Sequence, residues 1–274
     1  MPGAFAIDSD GARLVGEWIL GEWLPGERRG EGDDARPLVL IHGFGGSRHD
    51  WAGVRNALPA GLPTLAYDQR GFGESTGPDG VAFSHAEDLL RLLDALGIAT
   101  ADICGMSLGG ATALNFALNW PARVRRLVLV SPLMVGWSWT PEWVALWKAM
   151  GRAARAGDMA TARELWWQHP LFAPTRESPA ADTLRAAIAA FHGHQWIRDD
   201  QRNELPEIER LHRLAMPTLL LTGGRDLPDF RLMAEVIASA APHVERIDHP
   251  DAGHMLTYER PREIAGEITR FLAD

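Results

Sequence analysis

The 274 residues include 46% hydrophobic and 23% charged side chains, enough apolar material for a sizeable folded core and too much for a disordered chain. Lysine and arginine number 27 against 36 aspartates and glutamates, and the resulting charge of −9 repels phosphate backbones, so no nucleic-acid partner is expected. A single cysteine, Cys104, excludes an intrachain disulfide and zinc sites built on paired cysteines, while the only lysine, Lys148, follows Trp147 and so cannot belong to a Gly-Lys phosphate loop.

The opening residues Met1–Asp8 lack a basic stretch and a continuous apolar stretch, so a secretory leader is not expected. No apolar run approaches the roughly 20 residues that span a bilayer. These features together predict a cytoplasmic protein without a membrane partner.

Two β-like stretches come first, around Arg13–Leu20 and Glu22–Leu24, and the polar run Gly26–Arg36 after them reads as a hairpin loop or exposed turn. Leu38–Ile41 is then a short, continuous apolar run ending at His42-Gly43. Similar runs recur at Pro63–Tyr67, Ala101–Cys104, Arg126–Val130, Thr218–Leu221 and Val244–Ile247. Apolar runs that do not alternate suit strands covered on both faces, as in a parallel sheet.

Helix-period segments separate these runs. Ser84–Leu96 gathers its leucines on one broad face, Ser107–Trp120 stops before Pro121, and Arg231–Ala241 and Arg262–Leu272 continue the alternation. Strands alternating with helices predict a doubly wound α/β sheet. The alternation breaks once, from Leu133 to Leu214, where no strand-like run occurs. There Thr140-Pro141-Glu142 is an N-cap, an N1 proline and a first-turn acid; Ser178-Pro179 repeats that chemistry, and Asp158 is a candidate cap for Met159–Gln168. This helical insertion has the makings of a lid. It holds seven of the 11 tryptophans: Trp137, Trp139, Trp143, Trp147, Trp166, Trp167 and Trp196.

The strongest chemical signal is Gly105-Met106-Ser107-Leu108-Gly109-Gly110, where a predicted strand meets a predicted helix. A sharp strand-to-helix turn lifts a serine hydroxyl above the sheet edge, and the crowding it creates needs glycine on both sides. The following helix adds a dipole that favours developing negative charge. A serine nucleophile needs a general base, and the base needs an orienting carboxylate. Asp226 follows one predicted strand, in Gly223-Gly224-Arg225-Asp226, and His254 follows the last, in Asp251-Ala252-Gly253-His254. Both fall where ligands bind in open α/β sheets, beyond the carboxyl ends of strands. Asp248 and Asp251 compete with Asp226 as the acid but share a strand end with the histidine; His249, His192 and His194 compete as the base.

An acyl-transfer oxyanion needs N–H donors, each worth about 3 kcal/mol in the transition state. Leu108, directly after the serine, supplies one, and Phe44, in the loop His42-Gly43-Phe44-Gly45-Gly46 after the first parallel strand, supplies the other. His42 reads as a structural hydrogen-bonding residue.

These motifs, with Asp68-Gln69-Arg70-Gly71-Phe72-Gly73-Glu74-Ser75, resemble the α/β-hydrolase fold family in kind, order and spacing over most of the chain. The resemblance implies a doubly wound, mostly parallel eight-stranded-type sheet with an inserted all-helical cap. The core would be 1–132 and 215–274, and the cap 133–214. It implies a Ser107–Asp226–His254 triad, and makes Asp68–Ser75 a structural loop. No cofactor or metal is implied.

Trp139, Trp143 and Trp147 share one helical face, either as the lid's own core or as a pocket wall. Trp166 and Trp167 are adjacent, so they cannot both face one way. The expected pocket comprises Phe44, Met106, Trp143, Trp147, Trp167 and Met255, fitting a small or medium apolar ester or lactone as the small-molecule partner. Lid arginines Arg152, Arg155, Arg163 and Arg198 read as a solvated face, with a carboxylate site as the alternative. The leading expectation is a carboxylic ester hydrolase. A carbon–carbon bond hydrolase, a cofactor-free perhydrolase, or a menaquinone-pathway-type lyase suggested by Leu165–Phe172 would use the same triad, although Ala111 stands where the lyase's elbow has arginine. A ligand receptor on the same scaffold, without turnover, is the alternative from another class.

Overall fold

The computed structural model describes residues 3–20, 36–202 and 204–273. Its frame is one eight-stranded sheet. The strands are β1 (Ala4–Ser9), β2 (Ala12–Leu20), β3 (Leu38–Ile41), β4 (Thr64–Tyr67), β5 (Ala101–Met106), β6 (Val124–Val130), β7 (Thr218–Gly223) and β8 (Val244–His249). In space they run β1-β2-β4-β3-β5-β6-β7-β8. The β1–β2 and β2–β4 pairings are antiparallel and the others parallel.

β3, β4, β5 and β7 are buried along their whole length, which explains their unbroken apolar character. β8 differs from its expected double cover. It closes the sheet, and Glu245 and Asp248 on it are exposed, as suits an edge that must not pair further.

β1 was not anticipated. Its pairing with β2 turns through Asp10-Gly11, both at positive φ (49° and 75°), the conformation of a two-residue hairpin. Phe5 and Ile7 pack against the core while Ala4 and Ala6 stay exposed. The expected strand at Glu22–Leu24 lies outside the described residues, as does nearly all of the polar run after it.

Helices flank the sheet. Leu108–Asn119 packs on β3, β5 and β6 and against His85–Ala95; Pro228–Ala240 packs on β7 and β8; and Pro261–Ala273 packs on β7. Ser84 caps His85–Ala95 through the Glu87 N–H. Between β6 and β7 the described residues hold helices and no strand of the sheet: Pro141–Arg155, Met159–Trp167 and Ala181–Ala190, with shorter turns between. Thr140 and Asp158 cap the first two by accepting from Trp143 and Thr161 N–H. Ser178 does not cap the third. That helix starts at Ala181, and the Ser178 hydroxyl accepts from Ala180 N–H and donates to Thr175 carbonyl, so it shapes the preceding turn instead. No described helix is long and apolar enough to cross a membrane.

The chain leaves β3 toward β4 on one side and later returns to place β5 on the other. This reversal of winding opens a crevice at the carboxyl ends of β3 and β5, the place where doubly wound sheets bind ligands.

Candidate active site

Ser107 sits at that crevice, between β5 and the helix Leu108–Asn119. Its backbone is at φ 53° and ψ −115°, a conformation an L side chain rarely adopts. Neighbouring bonds impose it: Ser107 N–H donates to Val130 carbonyl (3.0 Å), and its carbonyl accepts from Ala111 (3.1 Å) and Leu133 (3.0 Å). The turn drives backbone against backbone. A Cβ at Gly105 would collide with Gly109 carbonyl, and one at Gly109 with the carbonyls of Ile41 and His42. Both glycines are therefore required by space, as the motif suggests.

His254 and Asp226 meet across the sheet end. The imidazole Nδ1 lies 2.8 Å from Asp226 Oδ2, and both side chains are buried. Asp226 Oδ1 accepts from Leu227 N–H at 2.7 Å, which locks the carboxylate. A carboxylate only accepts, so Nδ1 carries the proton of the neutral ring and Nε2 is left with its lone pair. That Nε2 is buried and without a hydrogen-bond partner among the described residues. Ser107 and His254 line one cavity, yet the serine hydroxyl makes no hydrogen bond to Nε2 here. Such bonds commonly tighten only when substrate is bound. The rival acids and bases, His192 among them, do not line this cavity. Asp248 takes Thr222 hydroxyl and Arg246, Asp251 is exposed, His249 pairs with Glu267, and His194 faces Asp79.

The loop after β3 is fixed by a buried polar relay. His42 Nδ1–H donates to Gly43 carbonyl (2.7 Å), its Nε2 accepts from Gln69 N–H (3.0 Å), and the Gln69 amide donates to His42 carbonyl (2.9 Å). Thr112 hydroxyl closes the relay on Gln69 Oε1. Burial pushes the His42 pKa down, so the ring stays neutral and structural. Asp68, buried at the head of the Asp68–Ser75 loop, holds Arg48 and Glu74 N–H. Gly43, the residue before Phe44, lies against Ser107, and the N–H groups of Phe44 and Leu108 have no partner among the described residues.

The cavity above Ser107 measures about 650 Å³ and is mainly apolar, with ten Phe and Trp side chains in its lining. Of the expected pocket residues, Phe44, Met106, Trp143, Trp147 and Met255 line it; Trp167 does not. Trp167 is buried on the other side of its helix, where Arg176 and Arg185 sit over its ring, and Trp166 faces the cavity in its place. Helical geometry sends adjacent side chains about 100° apart, so only one of the pair can point inward. Trp139, Trp143 and Trp147 stack along one wall, and Phe230 lies 4.3 Å from the His254 ring. Phe230 was missed by sequence reasoning, although its place in the first turn after the Asp226 loop was a readable signal. The four lid arginines named from the sequence do not line the cavity, although Arg202 of the same interval does: Arg155 and Arg163 bind the carbonyls of Trp196 and Phe191, Arg198 binds Asp200, and Arg152 is exposed.

A model of the α/β hydrolase fold family matches residues 36–261. This chain belongs to that family. The α/β hydrolase is 38% identical over 256 residues to a Caulobacter sp. (strain K31) protein named "Putative carbamate hydrolase RutD", covering 89% of this chain and 93% of the other. It is also 30% identical over 251 residues to the dihydrolipoyllysine-residue acetyltransferase component of the acetoin cleaving system of Pseudomonas putida. That match takes in 88% of this chain but only 64% of the longer relative. Among solved structures, a hydrolase from Pseudomonas aeruginosa PA01 superposes with a TM-score of 0.81 at 27% identity, covering 100% of this chain and 98% of that one. The enol-lactonase from Burkholderia xenovorans LB400 reaches the same TM-score at 23% identity over 98% and 100% of the two chains, a likeness of fold. The hydrolase names among these relatives support an enzyme.

Proposed function

We propose that this α/β hydrolase cleaves small-to-medium apolar carboxylic esters or lactones through an acyl-enzyme on Ser107. The observation that carries the reading is His254, with Nδ1 held by Asp226 and a free Nε2 in a cavity it shares with Ser107. Ser107 Oγ attacks the ester carbon while His254 Nε2 takes its proton. The N–H groups of Phe44 and Leu108 receive the oxyanion. The tetrahedral intermediate collapses, His254 returns the proton to the departing alkoxide, and the alcohol leaves. Water then attacks the acyl carbon, giving its proton to His254, and the carboxylic acid is released as Ser107 recovers its hydrogen. Asp226 stays ionised throughout and holds the imidazole in the productive tautomer.

In the same reading Leu133–Leu214 is a helical cap over the core formed by 1–132 and 215–274. Its aromatic wall takes the apolar part of the substrate and excludes water. A carbamate is a second substrate class for the same steps, favoured by the name of the 38%-identical relative.

The test pairs turnover with labelling. Ser107→Ala is expected to lower hydrolysis of p-nitrophenyl butyrate by at least 10³-fold, with circular dichroism unchanged, and a fluorophosphonate is expected to modify the peptide holding Ser107. Retained turnover in the variant, or labelling at another residue, overturns the assignment. Phenyl carbamates assayed alongside rank the two classes by kcat/KM.

A further inference from the structure

The cavity has a second, polar region that the triad does not use. His85 and Gln195 both line the cavity, and each has a buried atom without a hydrogen-bond partner among the described residues: Nδ1 of His85 and Oε1 of Gln195. The two lie around one feature, the Gly71-Phe72 turn. The Gln195 amide N–H donates to Gly71 carbonyl, and the His85 ring sits 6.1 Å from that of Phe72 and 5.0 Å from that of Phe83.

The bond to Gly71 decides which way the Gln195 amide faces. Turning it over would put oxygen against carbonyl oxygen, so Oε1 must be the end left free, and it can only accept. His85 is 4% exposed, and burial with His42 and Arg70 nearby pushes its pKa down to about 3, so it is a neutral ring at working pH. Nδ1 of a neutral imidazole donates or accepts according to its tautomer, so the pair offers an uncharged acceptor, Gln195 Oε1, together with a ring nitrogen that can meet a hydroxyl either way. The charged groups on this lining are engaged or exposed: Arg202 is bonded to Glu87 at 2.7 Å and lies 3.6 Å from Glu204, Asp199 accepts from Gln201 N–H, Asp50 accepts from Tyr258 O–H, and Lys148 is exposed. The polar region lies two ring contacts from the catalytic serine, by way of Phe44, in the oxyanion loop, and Phe72, whose rings are 5.6 Å apart.

We propose that His85 and Gln195 form a subsite for an uncharged polar group, a hydroxyl or carboxamide, that donates to Gln195 Oε1 and pairs with His85 Nδ1, at the end of the substrate remote from the scissile bond. The substrate class is then an ester or lactone with an apolar middle and a polar, uncharged tail. This rests on the hydrolase reading for which bond is cleaved but not for whether the tail binds.

The test therefore uses ketones, which need no cleavage. Nonan-2-one, 8-hydroxyoctan-2-one and 8-oxononanoate share one length scale and end in a methyl, a hydroxyl and a carboxylate. Their binding to the intact chain is read by quenching of the tryptophans that wall the cavity. The hydroxy ketone is expected to bind at least as tightly as the methyl ketone and more tightly than the carboxylate. Gln195→Leu and, separately, His85→Phe are each expected to shift the hydroxyl-to-methyl affinity ratio about tenfold toward methyl, the size of one lost hydrogen bond. Tighter binding of nonan-2-one or of the carboxylate to the wild-type chain overturns the proposal, as does a ratio unchanged in both variants. A chain that binds the hydroxy ketone as expected yet hydrolyses no ester would refute the proposed reaction and leave this subsite standing.

Discussion

Ser107 shows how much of the site is imposed by close backbone packing. Its left-handed backbone persists because Gly105 and Gly109 let the strand, the helix and the loop after β3 approach to backbone contact. Gly109→Ala forces a methyl into the carbonyls of Ile41 and His42 and is expected to cost about 1–3 kcal/mol or more. Gly266, in the helix Pro261–Ala273, is the contrasting case, with no positive φ and nothing within 4 Å of the point where a methyl would stand. Gly266→Ala is expected to add about 1 kcal/mol through helix propensity. Urea unfolding of the two variants checks both signs. Gly109 could be anticipated from its motif. His85 and Gln195 could not, because nothing local marks a histidine or glutamine that lines a cavity with an unpaired atom.

At the scale of elements, the helical interval is pinned where it leaves and rejoins the sheet. Glu207 Oε2 accepts from Val135 N–H at 2.8 Å, and Glu207 N–H donates to Val135 carbonyl at 3.3 Å, so one buried residue ties the two ends together. Glu207→Ala leaves Val135 N–H unpaired and is expected to cost about 1–3 kcal/mol in urea unfolding. Glu207→Gln keeps an acceptor for that N–H and is expected to cost less; equal losses would mean the bond is not what matters. The strands of this interval's surroundings were readable because burial on both faces leaves them uniformly apolar. β1 was overlooked because its signal is of the other kind, Phe5 and Ile7 alternating with exposed alanines ahead of Asp10-Gly11. Ser178 misled because a serine before proline serves a turn as readily as a helix cap.

Across the whole molecule, burial raises the pKa of several carboxyl groups. Asp50 is pushed up to about 7 although Tyr258 O–H donates to it, and Glu207 is pushed up to about 8. Asp88 and Asp102 are raised for the same reason, desolvation outweighing their arginine partners. A carboxyl whose pKa is higher folded than unfolded holds more protons in the native state, so its contribution is fully present below the ordinary carboxylate value and fades as pH rises through the folded one. The free energy of unfolding is therefore expected to fall between about pH 4 and 8 more steeply in the wild type than in an Asp50→Asn, Glu207→Gln double variant. Urea unfolding across that range checks it, and parallel slopes would refute it.

From the order of residues alone came the alternation of strand and helix, the glycine-bracketed serine, and the places of Asp226 and His254 after later strands. These depend on periodicity, on turn chemistry and on the short reach of neighbouring residues, all of which are local. Tertiary packing alone decided that Trp166 rather than Trp167 faces inward and that His85 and Gln195 both line the cavity. Each of those choices depends on the relative placement of elements far apart in the chain, and that placement is set by the burial of the whole core.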